Sequence, residues 1–319
     1  MEYRRMGDTG MRISSVSLGA WITYGGSVED DTAEQCIRTA LDNGINFIDV
    51  ADVYARGKAE EVVGKAIKEY QRSDIVLSSK VFWPMSDNVN DTGLSRKHIM
   101  ESVHKSLKRL DTDYLDMYFC HRYDPETPVE EVVRAMDDLV HQGKVLYWGT
   151  SVWSAAQLES AVGVARRHNC YTPKVEQPRY NMLDRHIEAE IVPVAAKHGI
   201  GIVVWSPLAQ GVLSGKYSAG IPSGTRGASG GQLTESIKEE LTPENLQRLN
   251  KLAGVAAELG VTMSQLALAW CLRLPAISSV ITGASRPEQV LDNIKASEVV
   301  LSEEVQNRLE EILADAPGK

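Results

Sequence analysis

Short apolar segments recur along the chain, and segments with helical periodicity separate them. Eight of the apolar segments are predicted to be strands: residues 16–18, 45–50, 75–81, 115–121, 145–151, 174–177, 200–206 and 279–282. Most of them are apolar at nearly every position, which is typical of parallel strands that are buried on both faces. The pattern therefore predicts a parallel sheet that is covered by helices.

The segments between the strands place apolar residues on one face of a helix. Ser95 can cap the segment SRKHIMESVHKSLKRL, in which apolar residues recur from Ile99 to Leu110 at intervals of three or four. Pro128 suits the first turn of PVEEVVRAMDDLVHQG, and Gly143 suits its C-terminal end. Repeated strand–helix units of this kind predict an α/β fold whose eight strands close into a (β/α)8 TIM barrel.

The N-terminal residues YRRMGDTGMRISSVSLG predict a short β-hairpin, because GDTG can form the turn between two extended runs. A doubly wound open sheet is the structural alternative, but no GxGxxG motif follows the first strand. We find no internal repeat or low-complexity linker, so residues 1–319 are expected to form a single domain. The longest irregular region is predicted at residues 209–241, and loops of that length are usually functional or mobile.

Composition and charge limit the classes of function. With 319 residues and 43% apolar content, the chain can bury a large core. A formal net charge of −9 argues against sequence-independent binding to nucleic acid or to an anionic membrane. No apolar stretch approaches the roughly 20 residues that cross a bilayer, and the N-terminus lacks the apolar region of a signal peptide. We therefore expect a cytoplasmic protein without a nucleic-acid partner or membrane insertion.

The four cysteines are far apart in the chain and show neither a CxxC motif nor zinc-ligand spacing. We interpret Cys36, Cys120, Cys170 and Cys271 as reduced residues in or near the core, and we expect no metal site. Cys120 precedes His121, which suggests a nucleophile beside a base. Neighbouring strand residues point to opposite faces, however, and this weakens that hypothesis.

Four polar residues are predicted to meet at one end of the barrel. Asp49 and Tyr54 follow the second strand, Lys80 ends the third and His121 ends the fourth. The carboxyl ends of barrel strands surround the active site in this fold. A lysine ammonium would lower the pKa of the phenol, the aspartate would hold the lysine, and the histidine could donate a hydrogen bond to a substrate oxygen. Each residue alone has an ordinary structural explanation, and Asp52 is interpreted as a turn residue.

Together these groups suit the protonation of a carbonyl oxygen during hydride transfer. At this point the chain resembles a known family, the aldo-keto reductases, and within it the branch of the voltage-gated potassium channel β subunits and their plant and bacterial relatives. The resemblance covers nearly the whole chain and is most specific in six segments: DNGINFIDVADVYARGKAE, GLSRKHIMESVHKSLKRL, RAMDDLVHQGKVLYWGTS, WSPLAQGVLSGKY, QLALAWCLR and SSVITGASRPEQVLDN.

The resemblance implies a catalytic tetrad of Asp49, Tyr54, Lys80 and His121, with Tyr54 as the proton donor and NADPH as the hydride source. Some channel β subunits have asparagine at the position of His121, whereas this sequence has the complete tetrad. The resemblance also implies extra C-terminal helices after the barrel. Because relatives in this branch often form tetramers or larger assemblies, it further implies a homo-oligomer.

The resemblance also implies a cofactor site. Ser151 and Gln177 would hold the nicotinamide amide, and Trp205 would stack on the nicotinamide ring. Val152 replaces an asparagine that many members have after the serine, which puts one amide contact in doubt. The pyrophosphate path is expected along Ser206, Pro207 and Leu208, the adenine contacts at Gln289, Asp292 and Asn293, and further cofactor contacts at Ala20, Trp21, Asp49, Gly211, Gly283 and Ser285.

The phosphate groups of such a cofactor also have candidate partners. Residues 283–286 precede Pro287 at a predicted helix N-terminus, where free amide groups favour an anion. Lys216, Arg226 and Arg286 come from separate loops and would suit a 2′-phosphate, and thus NADPH over NADH. Each of these cations could equally be a solvated surface charge, and the helix could be an ordinary capped one.

Aromatic residues follow several strand ends, which predicts a pocket for an apolar or aromatic aldehyde. The substrate pocket is expected at Trp21, Tyr24, Trp83 and Tyr123, with Phe82 beside it. These residues could equally be core or subunit contacts. We predict an NADP-dependent oxidoreductase that reduces aldehydes, and by extension ketones, to alcohols.

Two other functions remain open. One is a regulatory protein similar to the channel β subunits, which would sense nicotinamide redox state through slow turnover and bind a channel partner. The complete tetrad and the short segment before Tyr3 favour an enzyme over this alternative. The other is a barrel that binds a phosphorylated metabolite without redox chemistry.

Overall fold

The structure is a computed structural model that describes residues 1–314 except residues 22–23, 26–28, 218–219, 223–224 and 229, with Arg226, Gln232 and Leu233 described by their backbone alone. A two-stranded antiparallel hairpin comes first, formed by β1 (Tyr3–Arg5) and β2 (Arg12–Ser14). The following strands are β3 (Val16–Gly19), β4 (Phe47–Asp49), β5 (Val76–Val81), β6 (Leu115–Cys120), β7 (Val145–Thr150), β8 (Val175–Glu176), β9 (Gly201–Val204) and β10 (Ile277–Thr282).

These eight strands form a closed parallel barrel. Each strand pairs with the next one along the chain, and β10 pairs with both β9 and β3. The closure confirms the predicted (β/α)8 barrel and the N-terminal hairpin, and it excludes the doubly wound sheet, whose edges stay open. Six of these strands are shorter than predicted at one or both ends, whereas β3 and β10 are longer by one and two residues.

The described residues also form helices that surround the barrel or follow it. They are α1 (Asp30–Asp42), α2 (Lys58–Ile67), α3 (Arg96–Leu110), α4 (Val129–His141), α5 (Ala155–Arg167), α6 (Ile191–His198), α7 (Gln232–Glu240), α8 (Pro243–Leu259), α9 (Met263–Leu272), α10 (Pro287–Ile294) and α11 (Glu303–Leu313). Ser95 caps α3 as predicted, because its hydroxyl accepts a hydrogen bond from the His98 amide at 3.2 Å. Helix α7 lies inside the region that the sequence predicted to be irregular.

The barrel interior is filled with apolar side chains at the end where the strands begin. Met6 and Ile13 from the hairpin segment pack in one buried cluster with Phe47, Met117 and Phe119 from the strands. The hairpin therefore closes the amino-terminal end of the barrel. The opposite, carboxyl-terminal end is left for a site.

A larger core lies between the barrel and the helices, and its largest buried side chains include Trp148, Trp270 and Tyr118. All four cysteines are free thiols, with Cys170 partly exposed and the other three buried. In the described part of the chain, no single helix has the length and apolar content to cross a membrane. Helices α8 and α9 meet those criteria only as a pair, and the pair is bent by 91°.

Candidate active site

Three neighbouring strands bring the predicted tetrad together. Asp49 ends β4, Lys80 lies near the end of β5, and His121 directly follows β6. Tyr54 begins a short 3-10 segment, Tyr54–Gly57, in the loop after β4. Asp49, Tyr54 and His121 line a cleft at the barrel mouth, and Lys80 lies fully buried beneath it with its Nζ atom 4.9 Å from the centroid of the Tyr54 ring.

Lys80 and Asp49 form a buried ion pair. The Lys80 Nζ atom is 2.6 Å from Asp49 Oδ2 and donates a second hydrogen bond, of 2.8 Å, to the Val50 carbonyl. Asp49 Oδ1 accepts hydrogen bonds from Ser78 Oγ at 2.7 Å and from Gln177 Nε2 at 2.9 Å. Both carboxylate oxygens are therefore hydrogen-bonded, and the ammonium is held in one position below Tyr54.

The electrostatic state of Tyr54 differs from the sequence-based expectation. Burial raises the pKa of the Tyr54 phenol well above its ordinary value, and the negative charge of Asp49 raises it further, while Arg122 acts in the opposite direction. The expected net lowering of this pKa is therefore not found in the described structure. Because the Asp49 carboxylate lies 2.6 Å from the ammonium, it offsets the charge of Lys80. Tyr54 thus retains its proton at neutral pH.

His121 faces Tyr54 across the inner end of the cleft. The two rings meet edge to face with 5.8 Å between their centroids. Burial lowers the pKa of the imidazole well below its ordinary value, and the positive charges of Lys80 and Arg122 lower it further. His121 is therefore neutral, with one N–H donor and one acceptor nitrogen. Its Nδ1 atom is buried and has no hydrogen-bond partner among the described residues.

The backbone after Tyr54 adopts a rare conformation. Ala55, Arg56 and Gly57 have φ angles of 49°, 51° and 89°. Residues other than glycine rarely occupy this left-handed region. A Cβ atom on Gly57 would lie 2.7 Å from Cδ of Arg109, which packs against this turn from α3. Arg109 in turn donates a 2.5 Å hydrogen bond to the buried carboxylate of Glu60. Tyr54 is thus positioned by a turn that the outer helices hold in place.

The sequence predicts that Asp52 is a turn residue, and the structure shows that its side chain is also buried and hydrogen-bonded. The side chain is fully buried, and its Oδ2 atom accepts a 2.8 Å hydrogen bond from Ser102 on α3. Its Oδ1 atom has no hydrogen-bond partner among the described residues. Burial raises the pKa of Asp52 to about 7. Asp52 does not line the cleft.

The cleft extends from the tetrad to the N-terminus of α10 and has a volume of about 1200 Å³. This volume exceeds the roughly 300–1000 Å³ of pockets for drug-sized ligands, so the cleft has room for a dinucleotide. The predicted cofactor residues that line it are Trp21, Asp49, Ser151, Gln177, Trp205, Ser206, Pro207, Leu208, Gly211, Lys216, Gly283, Ser285, Arg286, Gln289, Asp292 and Asn293. Ala20 is buried and does not line the cleft, and the side chain of Arg226 lies outside the described residues.

Aromatic rings form part of the cleft wall near the tetrad. Trp21 and Trp205 meet edge to face with 6.0 Å between their ring centroids. Trp205 Nε1 is buried without a hydrogen-bond partner among the described residues, and such a donor is expected to meet an acceptor from a ligand. Ser151 and Gln177 are next to each other, since Ser151 Oγ donates a 2.8 Å hydrogen bond to the Gln177 carbonyl.

The far end of the cleft contains two cations. Among the described residues, neither Lys216 nor Arg286 has a carboxylate oxygen within 4.0 Å. Gly211 has a φ angle of 100°, and a Cβ atom there would lie 2.7 Å from Lys216 Nζ. The glycine thus lets the chain and the lysine approach closely. The Asp292 carboxylate is less available to a ligand than these two cations, because it already accepts hydrogen bonds from Thr262 and Gln265.

The aromatic residues expected in the substrate pocket fall into two groups. Trp21 and Trp83 line the cleft and are 41% and 37% exposed. Tyr24 is only 2% exposed because it belongs to the apolar core, and Tyr123 packs edge to face on Trp153 with a centroid distance of 5.0 Å. Neither tyrosine lines the cleft, so we remove both from the substrate pocket. Phe82 supports Trp83 from the side, with 5.1 Å between ring centroids.

Several residues that line the cleft were not selected from the sequence: Gly19, Val53, Arg122, Gln210, Ser214, Thr225, Ala228, Ser264, Ile281, Thr282 and Glu288. For Arg122 a signal existed, since it directly follows His121. Val53 likewise directly precedes Tyr54, whereas most of the others are far from the tetrad in the chain and gave no such signal.

Residues 15–314 match the model of the aldo/keto reductase family, and the chain belongs to that family. This membership supports an oxidoreductase and confirms the resemblance inferred from the sequence segments.

Similar proteins have names that refer to a channel subunit. The chain is 46% identical to a probable voltage-gated potassium channel subunit beta of Arabidopsis thaliana and 45% identical to one of Oryza sativa subsp. japonica, with 100% of this chain and 98% of each relative covered. A putative voltage-gated potassium channel subunit beta of Schizosaccharomyces pombe is 43% identical, with 99% of this chain and 94% of the relative covered.

Proposed function

We propose that this protein reduces aldehydes, and by extension ketones, to alcohols with NADPH as the reductant. The observation that supports this proposal most directly is a protonated phenol, Tyr54, beside a neutral imidazole and above a buried ammonium–carboxylate pair. All of these groups meet at the inner end of a cleft that is large enough for a dinucleotide.

The residues present fit the cofactor. Among the described residues, the indole N–H of Trp205 has no hydrogen-bond partner, and Trp205, Ser151 and Gln177 all line the cleft. At the far end of the cleft, Lys216 and Arg286 lack carboxylate partners in the described part of the chain. Both side chains would donate hydrogen bonds to phosphate groups. NADPH, when bound, would supply the hydride.

Tyr54 and His121 would act on the carbonyl oxygen of the substrate. The neutral His121 ring can donate a hydrogen bond to this oxygen and so orient the carbonyl group. As the carbonyl carbon is reduced, negative charge grows on the oxygen, and the Tyr54 hydroxyl transfers its proton there. The product is an alcohol, and Tyr54 is left as a phenolate.

Lys80, held in place by Asp49, would stabilise that phenolate. The pKa of Tyr54 is high in its resting state, so loss of the proton requires a nearby positive charge. Lys80 is 4.9 Å from the ring centroid and is fixed by Asp49 and the Val50 carbonyl. Tyr54 is partly exposed to the cleft, so a proton can return from water before the next reaction.

The proposal is tested with Tyr54→Phe and the matched control Tyr123→Phe, which changes a tyrosine outside the cleft. We expect purified wild-type protein to bind NADPH with a change in fluorescence and to oxidise it at 340 nm when aldehydes are added. Tyr54→Phe should lower kcat by about 100-fold or more because the proton donor is lost, while NADPH binding stays nearly unchanged. Equal turnover of wild type and Tyr54→Phe would refute the role of Tyr54. Absence of NADPH binding would favour a barrel for phosphorylated metabolites.

A regulatory role is the second candidate, and the channel-subunit names of the similar proteins favour it. In that case NADPH would bind tightly, turnover would be negligible on a broad aldehyde panel, and the protein would assemble with a membrane partner. Light scattering after size-exclusion chromatography would determine whether the chain forms the homo-oligomer that the resemblance implies. Measurable turnover with many aldehydes, combined with no channel partner in pull-down experiments, would favour the enzyme.

A further inference from the structure

We infer that Arg122 is a specificity residue that binds an anionic group of the substrate, so that the preferred substrates are carbonyl compounds with a carboxylate near the carbonyl group. The inference rests on the proposed reductase function and adds a substrate class to it. Arg122 directly follows His121 and lines the same cleft. Its guanidinium is therefore close to the place where the carbonyl group would react.

The hydrogen bonds of Arg122 leave one edge of its guanidinium available. Its Nη1 atom donates to the His121 carbonyl and lies 3.5 Å from Ser151 Oγ. Among the described residues, neither Nε nor Nη2 of Arg122 has a hydrogen-bond partner. The guanidinium carbon is 5.7 Å from the centroid of the Trp83 ring, which holds the group at the cleft wall.

The charge of Arg122 is not matched by a contacting carboxylate. In the part of the chain that the structure describes, no carboxylate oxygen lies within 4.0 Å of it, whereas the partly buried Arg72 and Arg109 each pair with one. The residues left undescribed before residue 315 include no Asp or Glu.

The carboxylate of Glu176 raises the pKa of Arg122 electrostatically, but it is hydrogen-bonded to other residues. Its carboxylate accepts hydrogen bonds from the Thr150 hydroxyl and the Trp153 amide. Burial raises the pKa of Glu176 to about 7, so this side chain is partly neutral near pH 7. It therefore compensates only part of the positive charge at Arg122.

These features define the chemistry of a ligand. A half-buried guanidinium remains charged, because arginine keeps its proton in proteins. The Nε and Nη2 donors on one edge match the two oxygens of a carboxylate, which favours a planar two-oxygen anion. Because Arg122 and His121 adjoin in the chain and line the same cleft, one small substrate can place its anionic group at Arg122 and its carbonyl oxygen at His121.

The inference is tested with matched substrate pairs that differ in charge. One pair is 4-carboxybenzaldehyde and its methyl ester, and a shorter pair is glyoxylate and its methyl ester. We expect wild-type protein to prefer the acid in at least one pair. Arg122→Gln should lower kcat/KM for that acid by about 10- to 100-fold, mainly through KM, because a hydrogen-bonded charge pair is lost. The ester should change little, and Arg122→Lys should retain part of the preference.

A binding measurement separates this inference from the proposed function. Benzoate is not reduced, and its binding to the wild-type complex with NADP⁺ can be followed by calorimetry. We expect Arg122→Gln to weaken benzoate binding while leaving the affinity for NADPH unchanged. If wild-type protein reduces none of the aldehydes but binds benzoate through Arg122, the proposed reductase function fails and the anion site stands.

Other outcomes would overturn the inference. Equal loss of activity with acid and ester would mean that Arg122 acts on the chemical step, for example through its effect on Tyr54. A comparable loss of NADPH affinity would make Arg122 a cofactor residue. No preference for either acid in the wild type, or benzoate binding that is unchanged in Arg122→Gln, would show that no substrate anion binds there. Thermal unfolding of both variants provides the control for folding.

Discussion

The buried ion pair of Lys80 and Asp49 gives a prediction about stability that is independent of any substrate. In Asp49→Asn, the Lys80 ammonium, which is 0% exposed in the wild type, would lose its paired carboxylate and keep its hydrogen bond to the Val50 carbonyl. Breaking a buried pair by removing one partner costs roughly 3–5 kcal/mol. The new asparagine can still accept one hydrogen bond through its oxygen, so we expect the lower end, about 3 kcal/mol.

The same variant should change the dependence of stability on pH. Burial lowers the pKa of Lys80, and Asp49 acts against this by raising it. Removing the carboxylate therefore lowers the pKa of Lys80 further in the folded state. Between that lowered value and about 10.4 in the unfolded chain, the unfolded state binds more protons. The free energy of unfolding should accordingly rise with pH in this window, by up to about 1.4 kcal/mol per pH unit.

A double-mutant cycle provides the assay. Wild type, Asp49→Asn, Lys80→Met and the double variant are unfolded in urea and followed by circular dichroism at several pH values. The double variant has no buried lysine charge. We therefore expect its free energy of unfolding to exceed the value predicted by adding the two single effects by about 2 kcal/mol or more. Additive effects within about 0.5 kcal/mol would refute the coupling. So would an Asp49→Asn variant whose stability follows the pH dependence of the wild type.

Two further predictions concern pH and the cofactor. The pKa of Tyr54 is raised above its ordinary value near 10, and that of His121 is lowered below its ordinary value near 6.5. We therefore expect kcat for reduction to be independent of pH between about 6.5 and about 10. A bell-shaped pH profile centred within this range would contradict the assigned roles. Lys216→Ala should weaken NADPH binding about 10-fold or more and NADH binding far less, because a contact to the 2′-phosphate is lost. The exposed Lys251→Ala is its control, and equal weakening of both cofactors in fluorescence titrations would disprove the contact.

Much of the fold could be predicted because its signals are local. Near-continuous apolar runs identified the strands, and Ser95 marked the start of α3 at the position where it caps the helix. Once the strands are arranged as a barrel, their carboxyl ends must meet, and for this reason Asp49, Lys80 and His121 could be expected together. The helix at Gln232–Glu240 was missed because glycine and serine dominate the residues before it.

The electrostatic details could not be predicted in the same way. The pKa of Tyr54 depends on how closely Asp49 approaches Lys80 and on how much water the cleft admits, and neither quantity is encoded in spacing along the chain. Side-chain direction was a second obstacle, because Tyr24 follows a strand end but points into the core. In the described part of the chain Arg122 has no ion-pair partner, and this becomes visible only when the surrounding carboxylates are located.

The contact between Gly57 and Arg109 ties an outer helix to the geometry of Tyr54. Any side chain larger than hydrogen at residue 57 would collide with Arg109, and a bulkier residue at 109 would press on the turn. A shorter residue at 109 would relieve this contact, but a side chain at residue 57 would still be strained by the φ angle of 89°. A protein engineer who wishes to retune the angle of the phenol can begin on α3 at Arg109, which does not line the cleft.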